Sequence, residues 1–200
     1  SSASSGSGSS SSGSSTTDTG NGTVVTSFSE LTAAVTKAEK AGGGIVYVKG
    51  SSISCTAQLA LKASNANVSI IGVKNSDGTY PVLDFSAFRS AYIGKATTDS
   101  EVGIRISGSN YTIKNLIIQK APDNGIQIKG SSAGNNTIEN CIVRYNNDAG
   151  VQITGGAYSN TMRFVYSYRN CDVYTLGGNA DGFAPKLGAG KGNVFYGCYS

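Results

Sequence analysis

The sequence predicts an all-β protein: a right-handed parallel β-helix with one short helix capping its N-terminal end. Three observations predict this fold. Glycines precede apolar-x-apolar triplets at regular intervals, apolar residues recur at matching places after each glycine, and the repeating units contain no helical pattern. Each coil of such a fold lies about 4.8 Å above the one before, so equivalent side chains stack in columns.

Residues 1–22 are predicted to form a flexible linker ahead of a folded domain at 23–200. Residues 1–17 contain only Ser, Gly, Thr and one Ala, a composition that cannot bury a core. Ser-rich linkers commonly join a binding module to a catalytic one, so we expect a longer, modular, secreted protein with a module upstream. The alternative is a disordered tail with no partner module.

The first regular element is a predicted helix over residues 28–41. Ser27 and Glu30 have the spacing of a capping box, apolar residues follow at helical spacing, and three glycines starting at Gly42 end the helix. A strand with alternating side chains, IVYVKG, comes next. We expect the helix to cover the open strand edges at the N-terminal end of the solenoid.

The repeat itself is clearest in four units. They begin at Gly103, Gly125, Gly150 and Gly182. Units of 22 and 25 residues with two or three strands are too short for a propeller blade or a helical solenoid. The predicted columns are Ile104, Ile126, Val151 and Phe183 in one, and Ile113, Ile138, Met162 and Phe195 in the other. Two less regular coils are expected at 44–72 and 73–102.

Side chains at the turns have structural interpretations. Asn115 and Asn140 occupy matching positions and predict an asparagine ladder. Cys141 and Cys198 lie at equivalent positions two coils apart, about 10 Å, beyond the roughly 7 Å Cα limit for a disulfide. We expect Cys141 and Cys198 to be buried small apolar residues. Cys55 and Cys171 have no metal-site spacing, so no zinc is expected.

Composition excludes several kinds of chemistry. The chain contains no histidine, which removes catalytic triads, histidine zinc sites and imidazole bases. The net charge of +4 comes without a run of Lys and Arg, so a nucleic-acid partner is not expected. No stretch approaches the eighteen or so apolar residues of a membrane span. Any catalysis must use carboxylates, lysine, arginine or tyrosine.

The candidate chemistry lies in GGNADGFAPKLGAGKGN, residues 177–193. An insertion at 171–181 lengthens this coil, and insertions in solenoids usually lie on the binding face. Asp181 is a carboxylate directly before a repeat glycine. The equivalent positions hold Val102, Asn124 and Ala149, with Asp123 and Asp148 one residue earlier than two of them.

Three interpretations of this stretch compete. A phosphate-binding loop needs G-x-x-x-x-G-K-[ST] between a strand and a helix, and the spacing here differs. In a structural interpretation the glycines form turns, Asp181 caps one of them, and Lys186 and Lys191 are solvated. In the third, Asp181 belongs to a metal site. The residues by themselves favour the structural interpretation.

The run GGNADGFAPKLGAGKGNVFYGCYS resembles the signature of the family-nine polysaccharide lyases, pectate lyases that use calcium and a lysine. The repeat and the capping segment SFSELTAAVTKAEKAGGGIVYV share this resemblance, which covers residues 24–200. It implies a secreted, monomeric lyase that binds calcium and cuts an acidic polysaccharide, polygalacturonate, by β-elimination. That reaction removes the C5 proton α to a uronate carboxylate, with calcium screening the developing charge and a lysine taking the proton.

The resemblance implies roles for two residues. Asp181 matches the first calcium aspartate, and Lys186 is a groove residue that meets substrate carboxylates, with a solvated lysine as the equal alternative. In relatives the remaining ligands, a D-D-x-x-D cluster, lie in the next coil and the catalytic lysine lies further on. We therefore expect both, and the remaining coils, beyond Ser200, and expect residues 1–200 to be inactive by themselves.

Two other functions stay open. A non-catalytic carbohydrate-binding or adhesin-like β-helix would use the same linker and the outward side chains of Arg105, Gln127 and Gln152. A β-helix hydrolase of the polygalacturonase kind is disfavoured, because the chain lacks histidine and paired aspartates at adjacent strand positions. A D-D-x-x-D cluster one coil further on would separate the lyase from the binding protein.

Overall fold

In a computed structural model, the chain winds through three parallel sheets that run side by side along a solenoid. The structure describes residues 17–18 and 22–200, apart from positions 94, 96, 99, 173–174 and 179–180. Each coil contributes one strand to each sheet before the chain returns to the first sheet. The strands of neighbouring coils pair in parallel, which is the arrangement of a parallel β-helix.

The elements follow one another in a fixed order. Before the first coil come β1 (Thr17–Asp18), β2 (Thr23–Val25) and α1 (Phe28–Lys40). The first two coils contain β3 (Gly44–Val48), β4 (Ser52–Ser54), β5 (Leu59–Leu61), β6 (Val68–Gly72), β7 (Val82–Asp84), α2 (Ser86–Ser90) and β8 (Ile104–Ile106). The third and fourth contain β9 (Tyr111–Lys114), β10 (Ile117–Gln119), β11 (Ile126–Lys129), β12 (Thr137–Glu139), β13 (Ile142–Arg144) and β14 (Val151–Thr154). The fifth contains β15 (Thr161–Arg163), β16 (Tyr166–Tyr168) and β17 (Phe183–Pro185), and β18 (Val194–Tyr196) follows.

Each sheet is built from the equivalent strands of successive coils. In the described part of the chain, sheet A has the order β1-β2-β3-β6-β9-β12-β15-β18, sheet B the order β16-β13-β10-β7-β4, and sheet C the order β17-β14-β11-β8-β5. The predicted columns are confirmed. Ile126 pairs with Ile104 and with Val151 in sheet C, and Ile138 pairs with Ile113 and Met162 in sheet A. These side chains fill a continuous apolar interior.

The two early coils differ from the prediction at 44–72 and 73–102. The second coil already begins with β6 at Val68, and it is lengthened by the segment between β7 and β8 that contains α2. This insertion separates the second strand of the coil from the glycine that opens the third. The glycine spacing that marks the later coils is therefore lost here, and sequence alignment of the early coils fails for that reason.

The predicted helix is confirmed as α1, which packs on the N-terminal end of the solenoid. Ser27 is its N-cap and accepts a hydrogen bond from the Glu30 N–H, while the Glu30 carboxylate accepts one from the N–H of Thr26 at 2.8 Å. Its buried face joins the main core. The hydroxyl of Tyr111 donates to Glu39 Oε1 at 2.5 Å, which ties the helix to the third coil. Neither α1 nor the five-residue α2, the helices of the described residues, could cross a membrane.

A short strand lies inside the predicted linker. β1 pairs antiparallel with β2, so that Thr17 lies opposite Val24. Residues 1–16 and 19–21 lie outside the described residues. The linker at 1–22 and the domain boundary after it stay predictions.

The repeat glycines are needed because the chain passes very close to the neighbouring connection. A Cβ on Gly125 would lie 2.5 Å from Asn146 Nδ2, and one on Gly150 would lie 1.9 Å from Ser167 Oγ. Neither glycine has a positive φ. The glycine pattern in the sequence therefore marks the places where the chain enters sheet C with no room for a side chain.

The described turns carry several asparagine ladders, of which the sequence predicted one. Asn140 Nδ2 donates to Asn115 Oδ1 at 2.8 Å, and both residues have positive φ, which asparagine tolerates. The second ladder is buried and consists of Asn136, Asn160 and Asn193. Each of the first two donates its amide N–H to the oxygen of the next.

The cysteines are free thiols at every described position. Cys55 and Cys141 are buried, and burial raises the pKa of each thiol to about 12. Cys198 is half-buried, so the prediction of a buried residue holds in full for Cys141 and only in part for Cys198. Cys171 is exposed and lies in the inserted connection before β17.

Candidate functional site

Asp181 lies immediately before β17, where the inserted connection enters sheet C. Its carbonyl oxygen accepts a hydrogen bond from the N–H of Gly150 at 2.9 Å, and the carbonyl of Ala149 makes the same bond to Gly125 at 3.1 Å one coil earlier. Ala149 and Asp181, which each precede a repeat glycine, thus occupy equivalent positions in neighbouring coils. The fold places the Asp181 side chain at the rim of sheet C, where it is about half exposed.

The structure brings together the two site residues predicted from the sequence. Asp181 precedes β17 and Lys186 follows it, and Lys186 Nζ donates to Asp181 Oδ2 at 3.0 Å. Burial raises the pKa of Asp148, a carboxyl of the preceding coil, and the ammonium of Lys186 partly offsets that rise. Lys186 is half-buried and ion-paired with Asp181.

The described residues do not form a calcium site by themselves. Ca²⁺ takes six to eight oxygen ligands, usually from several carboxylates. Among the described residues, no group of three or more His, Cys, Asp or Glu side chains is placed to hold a metal ion. Asp181 offers one carboxylate, and the ammonium bound to it competes with any cation. A cation at Asp181 needs oxygens from elsewhere.

A pair of carboxyls that sequence reasoning did not select lies next to this site. Asp123 and Asp148 each stand two residues before a repeat glycine, and their side chains are hydrogen-bonded to one another across adjacent coils. Burial, followed by repulsion from Asp148, raises the pKa of Asp123 to about 6, and burial raises the pKa of Asp148 as well. Their shared place in the repeat was the signal that could have identified the pair.

The outward side chains of sheet C are not the open binding face that the sequence suggested. Arg105 Nη1 donates to Gln127 Oε1 at 2.5 Å, and Gln127 Nε2 donates to Gln152 Oε1 at 2.7 Å. Gln127 is 3% exposed and Gln152 7% exposed. Thr97 and Thr98, from the inserted segment of the second coil, lie over this row. The insertion converts an open sheet face into a narrow cleft.

Comparisons with known proteins agree with this arrangement. The family model described as Pel9A-like, right handed beta helix region, matches residues 12–200. Pectate lyase L of Paenibacillus polymyxa (strain SC2) is 32% identical over 176 residues, which are 84% of this chain and 37% of that protein. The crystal structure of pectate lyase Pel9A is similar with a TM-score of 0.66 and 25% identity, over 86% of this chain and 41% of that one.

A rhamnogalacturonan lyase is similar at the level of the fold, with a TM-score of 0.59 and 21% identity over 78% of this chain and 43% of that one. The chain spans about two fifths of the length of the relatives it matches. The chain belongs to the Pel9A-like right-handed β-helix family, and it is a pectate-lyase-like member of that family.

Proposed function

We propose that the protein carrying this chain is a calcium-dependent pectate lyase that cleaves polygalacturonate by β-elimination. The observation that carries the proposal is the Asp181–Lys186 pair, placed by the inserted connection at the rim of sheet C in a chain 32% identical to a pectate lyase. An extracellular location, a monomeric state and an upstream module joined through residues 1–22 belong to the same proposal.

The two side chains suit a polyanionic substrate in different ways. Lys186 offers a cation at the rim of sheet C to a uronate carboxylate. Asp181 offers an anion next to it, which by itself would repel that carboxylate. The pair is therefore productive only with a further cation between Asp181 and the substrate. Calcium, when bound, would supply that positive charge and acidify the proton α to the carboxylate.

Lys186 is not assigned as the base that removes the proton. Its ammonium is held by the Asp181 carboxylate at 3.0 Å, so a proton acceptor is not presented to the substrate. We assign Lys186 to substrate binding and Asp181 to calcium, and leave the base outside the described residues. The segment is then expected to show no lyase activity on its own.

The test uses the full-length protein with polygalacturonate and calcium. β-Elimination gives an unsaturated product, so ultraviolet absorbance should rise, and EDTA should abolish the rise. Asp181→Asn should raise the calcium concentration needed for half-maximal rate by ~100-fold or more, since a ligand is lost. Asp77→Asn is the matched control, because Asp77 is exposed on a turn before β7 and bonds only its local neighbour Thr79.

Two results would count against the proposal. One is a well-folded full-length protein that gives no calcium-dependent absorbance rise on polygalacturonate. The other is an Asp181→Asn variant whose calcium dependence equals that of the control. Either result would leave the family assignment intact and remove the activity assigned to this member.

A further inference from the structure

The cleft on the outer face of sheet C has the features of a binding site. We define the sheet C cleft by seven of its lining residues: Thr97, Asp123, Asn124, Gln127, Lys129, Asp148 and Gln152. Its volume is about 230 Å³. Clefts for drug-sized ligands begin at roughly 300 Å³, so this one has room for a single ring. It lies one coil before Asp181, and Lys186 acts electrostatically on both sites.

One buried group in the cleft has no partner in the protein. Asn124 is 1% exposed, and its Nδ2 has no hydrogen-bond partner in the described structure. A buried N–H left without an acceptor is costly, of the order of 1–3 kcal/mol, and such groups are rare in native proteins. The group is explained when a ligand brings an acceptor to it.

The orientation of the Asn124 amide is fixed by its neighbours. Arg105 can only donate, so the Gln127 oxygen must accept its hydrogen bond. The Gln127 nitrogen therefore donates, both to Gln152 at 2.7 Å and to Asn124 Oδ1 at 3.4 Å. Turning the Asn124 amide over would place two N–H groups against each other. The unpartnered atom is thus a donor and not an oxygen.

The cleft places this donor beside acceptors. Asp123 and Asp148 contribute carboxyl groups, and Thr97 adds a hydroxyl that is hydrogen-bonded to Asp123. A sugar hydroxyl both donates and accepts, so donors and carboxylates placed side by side suit a polyhydroxylated ring. The two carboxyls outnumber the single ammonium of Lys129 in the lining, so the charge of the cleft disfavours an anionic ligand. A metal ion would be opposed by the buried N–H of Asn124, which offers it no lone pair.

We propose that the sheet C cleft binds one uncharged sugar unit of a polysaccharide, one coil away from the Asp181 site. The inference rests on the proposed function only for the source of the sugar, a pectic chain in which neutral or esterified units accompany galacturonate. Asn124 donates to a ring or hydroxyl oxygen, and Asp123 and Asp148 accept from hydroxyls. The cleft would thereby favour polysaccharide chains that carry an uncharged sugar unit next to the unit bound at Asp181.

The test is a binding titration by saturation-transfer NMR on the full-length protein at neutral pH. The probes are methyl galactoside, the methyl ester of methyl galacturonoside, ionised methyl galacturonoside, and calcium chloride alone. The two neutral probes should bind at least tenfold more tightly than the anion. Asn124→Asp, which keeps the side-chain shape and removes the donor, should weaken the neutral probes at least tenfold.

Asp148→Asn tests separately whether the carboxyls set the preference for uncharged sugars. It keeps the inference testable even if Asn124→Asp does not fold. It keeps an oxygen for the N–H of Ala149 and removes one charge, so the preference for neutral over ionised probe should fall at least threefold. Asp77→Asn, far along the chain in an exposed turn, should leave all affinities unchanged.

Several outcomes overturn the inference. These are no binding of any neutral probe, equal affinity for neutral and ionised probes, neutral-probe binding that survives Asn124→Asp in folded protein, or calcium binding that Asp148→Asn abolishes. The assay involves neither Asp181 nor elimination. Failure of sugar binding with an intact calcium-dependent lyase therefore refutes this site alone, and sugar binding without lyase activity refutes the proposed function alone.

Discussion

Two of the stacks of polar side chains along this solenoid differ in how completely the protein satisfies their hydrogen-bonding groups. In the buried ladder, Asn160 Oδ1 accepts from both the N–H and the Nδ2 of Asn136, and Asn160 Nδ2 donates to Ala133 O and to Asn193 Oδ1. In the sheet C cleft, two carboxyls face each other and Asn124 Nδ2 has no partner. The ladder is closed within the protein, and the cleft is not.

The difference shows how a repeat can hold both structural and functional polar residues at equivalent positions. A ladder of amides repeats without penalty, because each amide has one donor side and one acceptor side. A pair of carboxyls repeats at a cost, because like charges repel and burial opposes ionisation. Where a solenoid keeps such a pair, a ligand or a proton must compensate it. The predictions below test the two stacks in turn.

The largest effect is expected at the closed ladder. Asn160→Ala would leave the buried N–H of Asn136 without its partner. It would also remove one bond each from Asn136 Nδ2, Ala133 O and Asn193 Oδ1, which keep Gly108 O, Tyr158 N–H and the N–H of residue 160 as partners. With one unsatisfied group at about 1–3 kcal/mol and three lost bonds at about 0.5–1.5 kcal/mol each, the free energy of unfolding should fall by at least ~2 kcal/mol. Urea unfolding measures it. Asn75→Ala, which removes one exposed bond to Thr79, is the control and should cost no more than about 1 kcal/mol.

A result in which both variants lose the same small amount would break the comparison. It would mean that the ladder relaxes or recruits water at no cost, and that full satisfaction of amides is not what holds these coils in register. The sheet C stack would then have no structural counterpart to be compared with.

A smaller, pH-dependent effect is expected at the carboxyl pair. The pKa of Asp123 rises from its ordinary 3.8 to about 6 in the folded protein, first through burial and then through repulsion by Asp148. The folded state thus binds more protons than the unfolded state in that window, and stability falls as pH rises through it. Asp123→Asn imitates the protonated carboxyl and should remove this fall, on the order of 1 kcal/mol after solvent screening.

The measurement is urea unfolding of the wild type and of Asp123→Asn at several pH values between 4 and 8. Asp77→Asn is the control with the opposite sign, because hydrogen bonds from Thr79 lower the pKa of Asp77. Its stability contribution is lost as pH falls, so it should leave the decline above pH 4 unchanged. An Asp123→Asn profile parallel to the wild type would show that the pair is already compensated.

The fold was predictable because its signals are local and repeated. Glycines such as Gly125 and Gly150 mark close contacts that recur in each coil, and the apolar columns follow from the same spacing. The second coil was not predictable in this way, since α2 and the segment after it interrupt the spacing. The buried ladder that begins at Asn136 was not predicted. An asparagine directly before a strand is equally typical of an ordinary turn.

The site was predictable only in part. The resemblance predicted roles for Asp181 and Lys186, and the structure brings the two side chains together beside sheet C. The cleft could not be predicted, because it depends on Thr97 folding back over β11 and β14 from another coil. No spacing in a single sequence reports such a contact. Gln127 and Gln152 looked like open surface for the same reason.

The smallest effect is expected at the Asp181–Lys186 pair, where the two sites meet. The side chains are 48% and 33% exposed, so the pair contributes about 0.2–1 kcal/mol at most. Lys186→Gln should lower the free energy of unfolding by that amount at low salt, and the difference should vanish near 1 M salt, where the Debye length is about 3 Å. Lys191→Gln, in the same glycine-rich stretch but exposed, should change nothing.

The pH profile of Lys186→Gln carries the sharper information. Lys186 lowers the pKa of Asp148, so its removal lets burial raise that pKa further. The folded state then holds protons to higher pH, and the loss of stability on raising the pH should become steeper than in the wild type. Urea midpoints at pH 4 and pH 8 measure the slope. An unchanged slope would show that Lys186 serves Asp181 alone, and the sheet C cleft and the Asp181 site would then be electrostatically independent.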